Sequence, residues 1–358
     1  MRPYFLRSTL TIVAFALFCA LFLAQNASAQ GDAETGPPRT PPPPTSVQTQ
    51  APVENAPSGQ DQQQPGGEAP ITADPSADDP GRFVFKKAVQ EVLVHATVVD
   101  QDGHMVTSLR QGDFSIFQNG RAEPITAFRR EDVPVALGIV VDNSGSMRDK
   151  REKVNQAVVN LIRASNQDDE VFVVNFSQTP YLDQDFTSDV KLLQTALHQG
   201  STRGSTALYD AVVASATHLQ NNPRLNKKVL LVVTDGEDNM SRVTLQEAIR
   251  KLQPSKGATV YAIGLTDAGL TRRGREELQQ LAASTGGVAY FPDSLGDVDT
   301  ITREIAHDIR SQYTLAFNPK GNPPKTEYQR IRVEAHGPGK TKYTVRTRSG
   351  YYPGETMQ

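Results

Sequence analysis

Residues 133–147 read Val-Pro-Val-Ala-Leu-Gly-Ile-Val-Val-Asp-Asn-Ser-Gly-Ser-Met, and their reading decides the fold. From Val135 to Val141 the run is apolar and rich in β-branched residues, and it stops abruptly at Asp142, Ser144 and Ser146. Unbroken apolar character is what a strand covered on both faces of a parallel sheet requires, so 135–141 is predicted as such a strand. Its carboxyl end then delivers oxygens to the edge where open α/β sheets hold ligands. A carboxylate and two hydroxyls at alternate positions can converge on a hard cation, because these oxygens suit magnesium, calcium or manganese. Taken alone, the motif is weak evidence, because small polar residues are common in any strand-to-helix turn and cap, and that plainer reading is the better one.

Working outward, strands are predicted at 135–141, 170–176, 229–234, 259–265 and 288–291. Helical patterns fall at 149–164, 190–197, 206–219, 245–252, 272–284 and 298–310. Near-regular alternation implies a doubly wound α/β unit with a mostly parallel sheet covered on both faces. Two further loops point oxygens at the same edge. The strand at 229–234 ends in Asp235-Gly236, and Gly204-Ser205-Thr206 precedes a helix. Singly, Thr206 or Ser205 could cap that helix and Asp235 could begin a turn. Jointly, Asp142, Ser144, Ser146, Thr206 and Asp235 form a candidate cation site fed by three loops.

The flanks read differently. Segments 83–132 and 312–353 hold short alternating strands broken by Asp102-Gly103, Asn119-Gly120 and later Gly and Pro clusters, with a tail at 354–358. They are expected to pair into one discontinuous β-sandwich-like domain flanking the central 133–311, although two separate β layers would give the same local pattern. Residues 30–82 are Pro- and Gln-rich, with Pro41 to Pro44 and little apolar content, and read as a disordered tether. At the start, Arg2 and Arg7 precede an apolar run and Ala27-Ser28-Ala29, the pattern of a secretory signal peptide over 1–29. Retention of that segment as an uncleaved anchor is the alternative. An exported protein, periplasmic, envelope-bound or secreted, is therefore expected, with no stable membrane span after cleavage.

Cys19 is the only cysteine and lies inside that signal, so the mature chain has no disulfide and no thiolate for catalysis or zinc. Loss of Arg2 and Arg7 takes the formal charge from −3 to −5, which argues against nucleic acid as a partner. The six histidines are scattered, without a His-Glu-x-x-His helix or nucleophile elbow. Arg148, Lys150, Arg151 and Lys153 read as a charged helix face, Asp235, Glu237 and Asp238 as a solvated rim, and Tyr209 and Asp210 as helix packing.

Asp142-Asn143-Ser144-Gly145-Ser146, then Thr206, then Thr234-Asp235-Gly236 resembles the von Willebrand factor type A family with its metal-ion-dependent adhesion site, in family order. The export signal, proline-rich tether and closing Arg348-Ser349-Gly350-Tyr351-Tyr352 are similar to exported proteins of this family from Acidobacteria and related bacteria. The resemblance implies a Rossmann-like fold and, usually, a magnesium ion. Ser144 and Ser146 would bind it directly, Thr206 directly or through water, and Asp142 and Asp235 largely through water. It also implies a last helix that shifts on ligand engagement. The expected function is a non-enzymatic adhesion or scaffolding module, the ion bridging to an Asp or Glu of a partner protein. The alternatives are a metal-dependent hydrolase, or an envelope structural protein stabilised by a cation.

Overall fold

The structure, a computed structural model, describes residues 91–354 except 131, 201, 223, 266–269 and 322. The expected signal peptide, the tether, residues 83–90 of the first β segment and residues 355–358 of the tail lie outside the described residues. Among the described residues no helix is long and apolar enough to cross a membrane.

In chain order the first β segment contributes β1 (Val92–Val99), β2 (Phe114–Gln118), β3 (Arg121–Glu123) and β4 (Ile125–Arg129). The central unit follows with β5 (Val135–Asp142), α1 (Arg151–Arg163), β6 (Glu170–Phe176), β7 (Pro180–Thr187), α2 (Val190–Leu197), α3 (Leu208–Asn221) and β8 (Lys227–Thr234). It closes with α4 (Leu245–Leu252), β9 (Thr259–Gly264), α5 (Arg272–Thr285), β10 (Ala289–Tyr290) and α6 (Val298–Ser311). The last segment gives β11 (Tyr313–Phe317), β12 (Gln329–Ala335), β13 (Thr344–Thr347) and β14 (Gly350–Tyr351).

The central sheet runs β10-β9-β8-β5-β6-β7, parallel from β10 to β6. Every residue of β5 and β8 is buried. One core packs α1, α2 and α6 against residues such as Ile139 and Leu231, and a second packs α3, α4 and α5 against Val140 and Leu230. Each fully buried aliphatic side chain of this kind stabilises by about 1.5–3 kcal/mol. Gly138 permits the close packing, since a Cβ there would lie 2.3 Å from the Phe172 ring. The doubly wound, mostly parallel sheet predicted from the apolar runs is what the chain adopts.

Three details depart from the prediction. Strand β7 pairs antiparallel with β6 as an edge strand where none was expected, because its exposed Tyr181 and Leu182 and its two aspartates hide the alternation. Strand β10 is two residues, not the predicted 288–291. Helix α3 begins at Leu208, two positions later than predicted, leaving Thr206 in the loop.

The flanking segments interleave. One sheet has the order β13-β1-β11-β4 and the other β14-β12-β2-β3, both antiparallel. Val94 and Leu315 from the first sheet share one buried cluster with Ile116, Val333 and Tyr351 from the second. A single sandwich built from both ends of the chain therefore replaces the alternative of two independent layers. Asn119 and Gly120 both take positive φ, +48° and +82°, the left-handed pair that closes the β2–β3 hairpin. Gly103 is also left-handed, yet its turn does not fold β1 onto β2, which lie in opposite sheets.

Two polar staples join the sandwich to the central unit. Buried Asp308 of α6 accepts from Thr97 Oγ1 of β1 at 2.6 Å and from Arg346 of β13 at 2.9 Å. Arg348 is buried and donates to the carbonyls of Gly350, Ser255 and Pro254, and the Tyr352 amide donates to the Gln253 carbonyl at 2.8 Å. The closing Arg348-Ser349-Gly350-Tyr351-Tyr352 motif thus fastens the last strand beneath α4, with Tyr351 in the sandwich core.

Candidate metal centre

The three predicted loops meet above the carboxyl end of the sheet and are tied by their backbones. The Gly145 amide donates to the Gly204 carbonyl at 3.3 Å and the Arg203 amide to the Asn143 carbonyl at 3.0 Å, which joins the β5 loop to the loop before α3. The Asn239 amide donates to the Thr206 carbonyl at 3.0 Å, which joins that loop to the one after β8. Met147 is fully buried behind the short turn at Gly145–Met147 and plugs the β5 loop into the core.

Within this frame the five predicted residues are brought together. Asp142 and Asp235 are 0% exposed, Ser144 and Thr206 are buried, and Ser146 is exposed at the mouth. Asp142 accepts from the Ser144 amide at 2.7 Å through Oδ1 and from the Thr234 hydroxyl at 2.6 Å through Oδ2. Asp235 Oδ1 accepts from the Ser146 hydroxyl at 2.7 Å, and the two serine oxygens lie 3.2 Å apart. A Cβ on Gly236 would sit 3.5 Å from Thr206 Oγ1, which places that hydroxyl directly against the Asp235 turn. Thr206 does not cap α3, whose N-cap is Ala207 without a side-chain bond.

This donor set fits a hard divalent cation: every convergent group is oxygen, and hydroxyls stand in front of carboxylates already engaged from behind. Burial raises the carboxyl of Asp142 above the usual carboxylate range, against the bonds from Thr234 and Ser144 that favour its charge.

Two neighbours are not the charged helix face that the sequence suggested. Lys150 is 7% exposed and its ammonium donates to Asp235 Oδ2 at 2.7 Å. Arg151 is buried too, donating to the carbonyl of Asp142 at 3.3 Å, to Asn175 Oδ1 at 2.8 Å and to the carbonyl of Leu197 at 2.7 Å. Burial lowers the Arg151 guanidinium to about 10, which leaves it cationic at neutral pH. The turn at 145–147 delays α1 until Arg151, so both side chains enter beneath the strand ends instead of pointing to solvent.

The acidic loop is also more than a rim. Asp238 Oδ2 accepts from the Tyr209 amide at 3.1 Å and Asn239 Oδ1 from the Thr206 amide at 2.9 Å, so this loop caps α3 from outside and fixes Thr206. Asp210 returns the favour by accepting from the Arg242 and Val243 amides. Tyr209, expected only to pack, donates its hydroxyl to Glu277 at 2.8 Å, and burial raises its pKa. Thr234 was the strand residue most visible in sequence, since it precedes Asp235; the capping roles of Asp238 and Asn239 carry no local signal. Elsewhere Asp100, Asp102 and His104 bring three ligand-type atoms within 4.8 Å of one another on an exposed loop, where Asp100 Oδ1 is already engaged by two backbone amides.

No curated protein matches the sequence. Among solved structures, similarity extends to BatB from Bacteroides thetaiotaomicron, with 20% identity, 49% of this chain, 100% of that chain and TM-score 0.40. It extends also to a von Willebrand factor type A protein from Catenulispora acidiphila, with 15% identity, 76% of each chain and TM-score 0.45. A third is proximal thread matrix protein 1 from the mussel byssus with a zinc-occupied MIDAS motif, with 19% identity, 50% of this chain, 48% of that chain and TM-score 0.41. The family model of the von Willebrand factor type A domain matches residues 137–304, from within β5 to within α6. The central unit of this chain is a von Willebrand factor type A domain.

Proposed function

We propose that the chain is an exported, non-enzymatic binding module that engages a protein partner through a divalent cation held by Asp142, Ser144, Ser146, Thr206 and Asp235. Type A domains often mediate metal-dependent protein interactions, which supports the class of function. One observation carries the choice of mode: the exposed Ser146 hydroxyl stands 3.2 Å from that of Ser144, in front of two carboxylates that are wholly buried and bonded to protein donors. A cation held mainly by hydroxyls stays electron-poor and seeks an anionic oxygen, such as an Asp or Glu of the partner, to complete its shell. Asp142 holds the Ser144 amide, and Asp235 orients the Ser146 hydroxyl. Magnesium suits a site that keeps waters; calcium and manganese suit the same oxygens.

The test is a pull-down from the organism's envelope and secreted fractions with and without EDTA, comparing wild type with Ser144→Ala. Capture that is lost in EDTA and in the variant, with unchanged circular dichroism, is expected. Capture that survives EDTA would sink the proposal. Magnesium raising the melting temperature without any captured partner would instead favour a stabilising cation. Turnover in a phosphatase and esterase screen, abolished by Asp235→Asn, would establish the hydrolase.

A further inference from the structure

At the amino end of the central sheet, opposite the candidate metal centre, a cleft of about 660 Å³ opens between the type A domain and the sandwich. Its sandwich wall is the outer face of the β1-β11-β4 part of one sheet, and strand register sorts that face into two rows. Leu93, Ala316 and Ala127 lie side by side as an apolar row, and His95, Thr314 and Arg129 form a polar row beside it. The type A wall adds Pro134 and Leu225 on the apolar side, with Arg224, Lys227 and Lys256 as cations.

Charge in the cleft is one-sided. Among the described residues Arg129, Arg224, Lys227 and Lys256 face one lining carboxylate, Glu91. Arg224 is paired outside the lining with Glu170 at 2.8 Å, and the Lys227 ammonium donates to the Ile309 carbonyl. Arg129 and Lys256 have no ion-pair partner among the described residues. Lys227 is 3% exposed, and burial with the nearby Arg310 lowers it to about 8. His95 is held at about 3 by burial, Lys227 and Arg348, so its ring is neutral, with Nδ1 3.1 Å from Thr314 Oγ1. Of the four only Lys227 is buried, with Asp132, Asp169 and Asp308 nearby, whereas Arg129 and Lys256 are exposed at the cleft and can meet an incoming anion through charge-assisted hydrogen bonds.

We propose that this cleft binds an organic anion, a carboxylate or phosphate headgroup on an apolar body. The polar row and the cations take the headgroup, and the apolar row with Leu225 and Pro134 takes the body. The volume is in the range of small-molecule sites, which favour domain interfaces, and is far larger than an inorganic phosphate needs. Among the described residues the lining holds no Phe, Tyr or Trp on which a nucleic-acid base could stack.

The test is isothermal titration of the purified full chain in EDTA, which silences the candidate metal centre and makes the outcome independent of it. Octanoate, octyl phosphate and octanol are the probes. One octanoate or octyl phosphate should bind per chain at least about tenfold more tightly than octanol, the tighter of the two naming the headgroup. The double substitution Arg129→Ala/Lys256→Ala, at two exposed positions, should weaken the anion by about tenfold or more and leave octanol unchanged. Ala127→Trp should fill the apolar row and abolish binding of all three, with thermal melting confirming that both variants fold. Octanol binding as tightly as the anions, no saturable anion binding, or anion binding unmoved in the folded double variant would each overturn the proposal.

Discussion

At the carboxyl end of the central sheet two wholly buried carboxylates, Asp142 and Asp235, lie beside two buried cations, Lys150 and Arg151. At the amino end Arg129, Arg224, Lys227 and Lys256 face Glu91. The first set is balanced before any ligand arrives, so a divalent cation leaves it with an excess of positive charge that an acidic partner can offset. The second offers exposed cations, Arg129 and Lys256, that an anion can meet without a metal. The central sheet thus carries two candidate sites of opposite logic, and α6 packs Ile301 and Ile305 into the domain core while its Ile309 carbonyl receives Lys227 at the lower end.

The largest effect should come from Asp308→Asn, which removes the charge that α6 offers to Arg346 and Thr97 across the sandwich junction. Breaking a buried pair from one side costs about 3 kcal/mol, and melting should fall by roughly 6–12 °C. Because the junction frames the cleft, octanoate binding should weaken while magnesium affinity at the upper site stays unchanged. Equal loss at both ends would mean that the two sites are not separable. Amide exchange over 298–318, measured with and without partner in wild type and Asp308→Asn, tests whether α6 carries a signal between the ends. Protection that changes on partner binding only in wild type is the expected result.

Next in size is Lys150→Met. An ammonium 2.7 Å from Asp235 opposes any cation nearby, and its removal leaves the buried set one charge negative. Magnesium or manganese affinity should rise about tenfold by calorimetry, equivalent to about 1.4 kcal/mol, well within what one charge supplies at short range. Weaker cation binding would show that Lys150 shapes Asp235 instead of competing with the ion.

The central unit was legible because strands covered on both faces leave continuous apolar runs, and each of 135–141 and 229–234 announces its functional end by stopping at an aspartate. The five candidate cation-site residues came from that signal and from their order. Strand β7 was hidden because an edge strand mixes Tyr181 and Leu182 with charges. Lys150 and Arg151 were misread because charges next to a helix point outward by default, and only the turn at 145–147, a tertiary feature, rotates them inward. Asp238 capping α3 from another loop, and Arg348 stapling the last strand to residues 254 and 255, are partnerships across distant sequence that no local pattern encodes.

A smaller effect probes the lower end through protons. The folded protein holds His95 near 3 whereas the unfolded chain takes up its proton near 6.5. Below that value the unfolded state binds more protons, so stability is full above about 6.5 and falls with acidification, at up to about 1.4 kcal/mol per pH unit. Between pH 6.5 and 5 the loss should be about 1–2 kcal/mol. Urea titrations across that window should show a shallower decline in His95→Gln, and an identical slope would mean that Lys227 and Arg348 do not bear on the ring.

The smallest effect belongs to the upper end and tests whether its geometry is set from a distance. Ala207 offers α3 no side-chain cap, and the Tyr209 amide is satisfied by Asp238 instead. Asp238→Ala should therefore cost about 1 kcal/mol in denaturant unfolding, the usual value of a lost cap. Asn239, the next residue, holds the Thr206 amide, so loosening this loop also frees the hydroxyl that faces Asp235. Cation affinity should drop about two- to threefold, a few tenths of a kcal/mol, while the octanoate affinity of the lower cleft does not move. A stability loss without any change in cation affinity would place Thr206 under the control of the Gly204 loop alone, and would remove the acidic loop from the account of the metal centre.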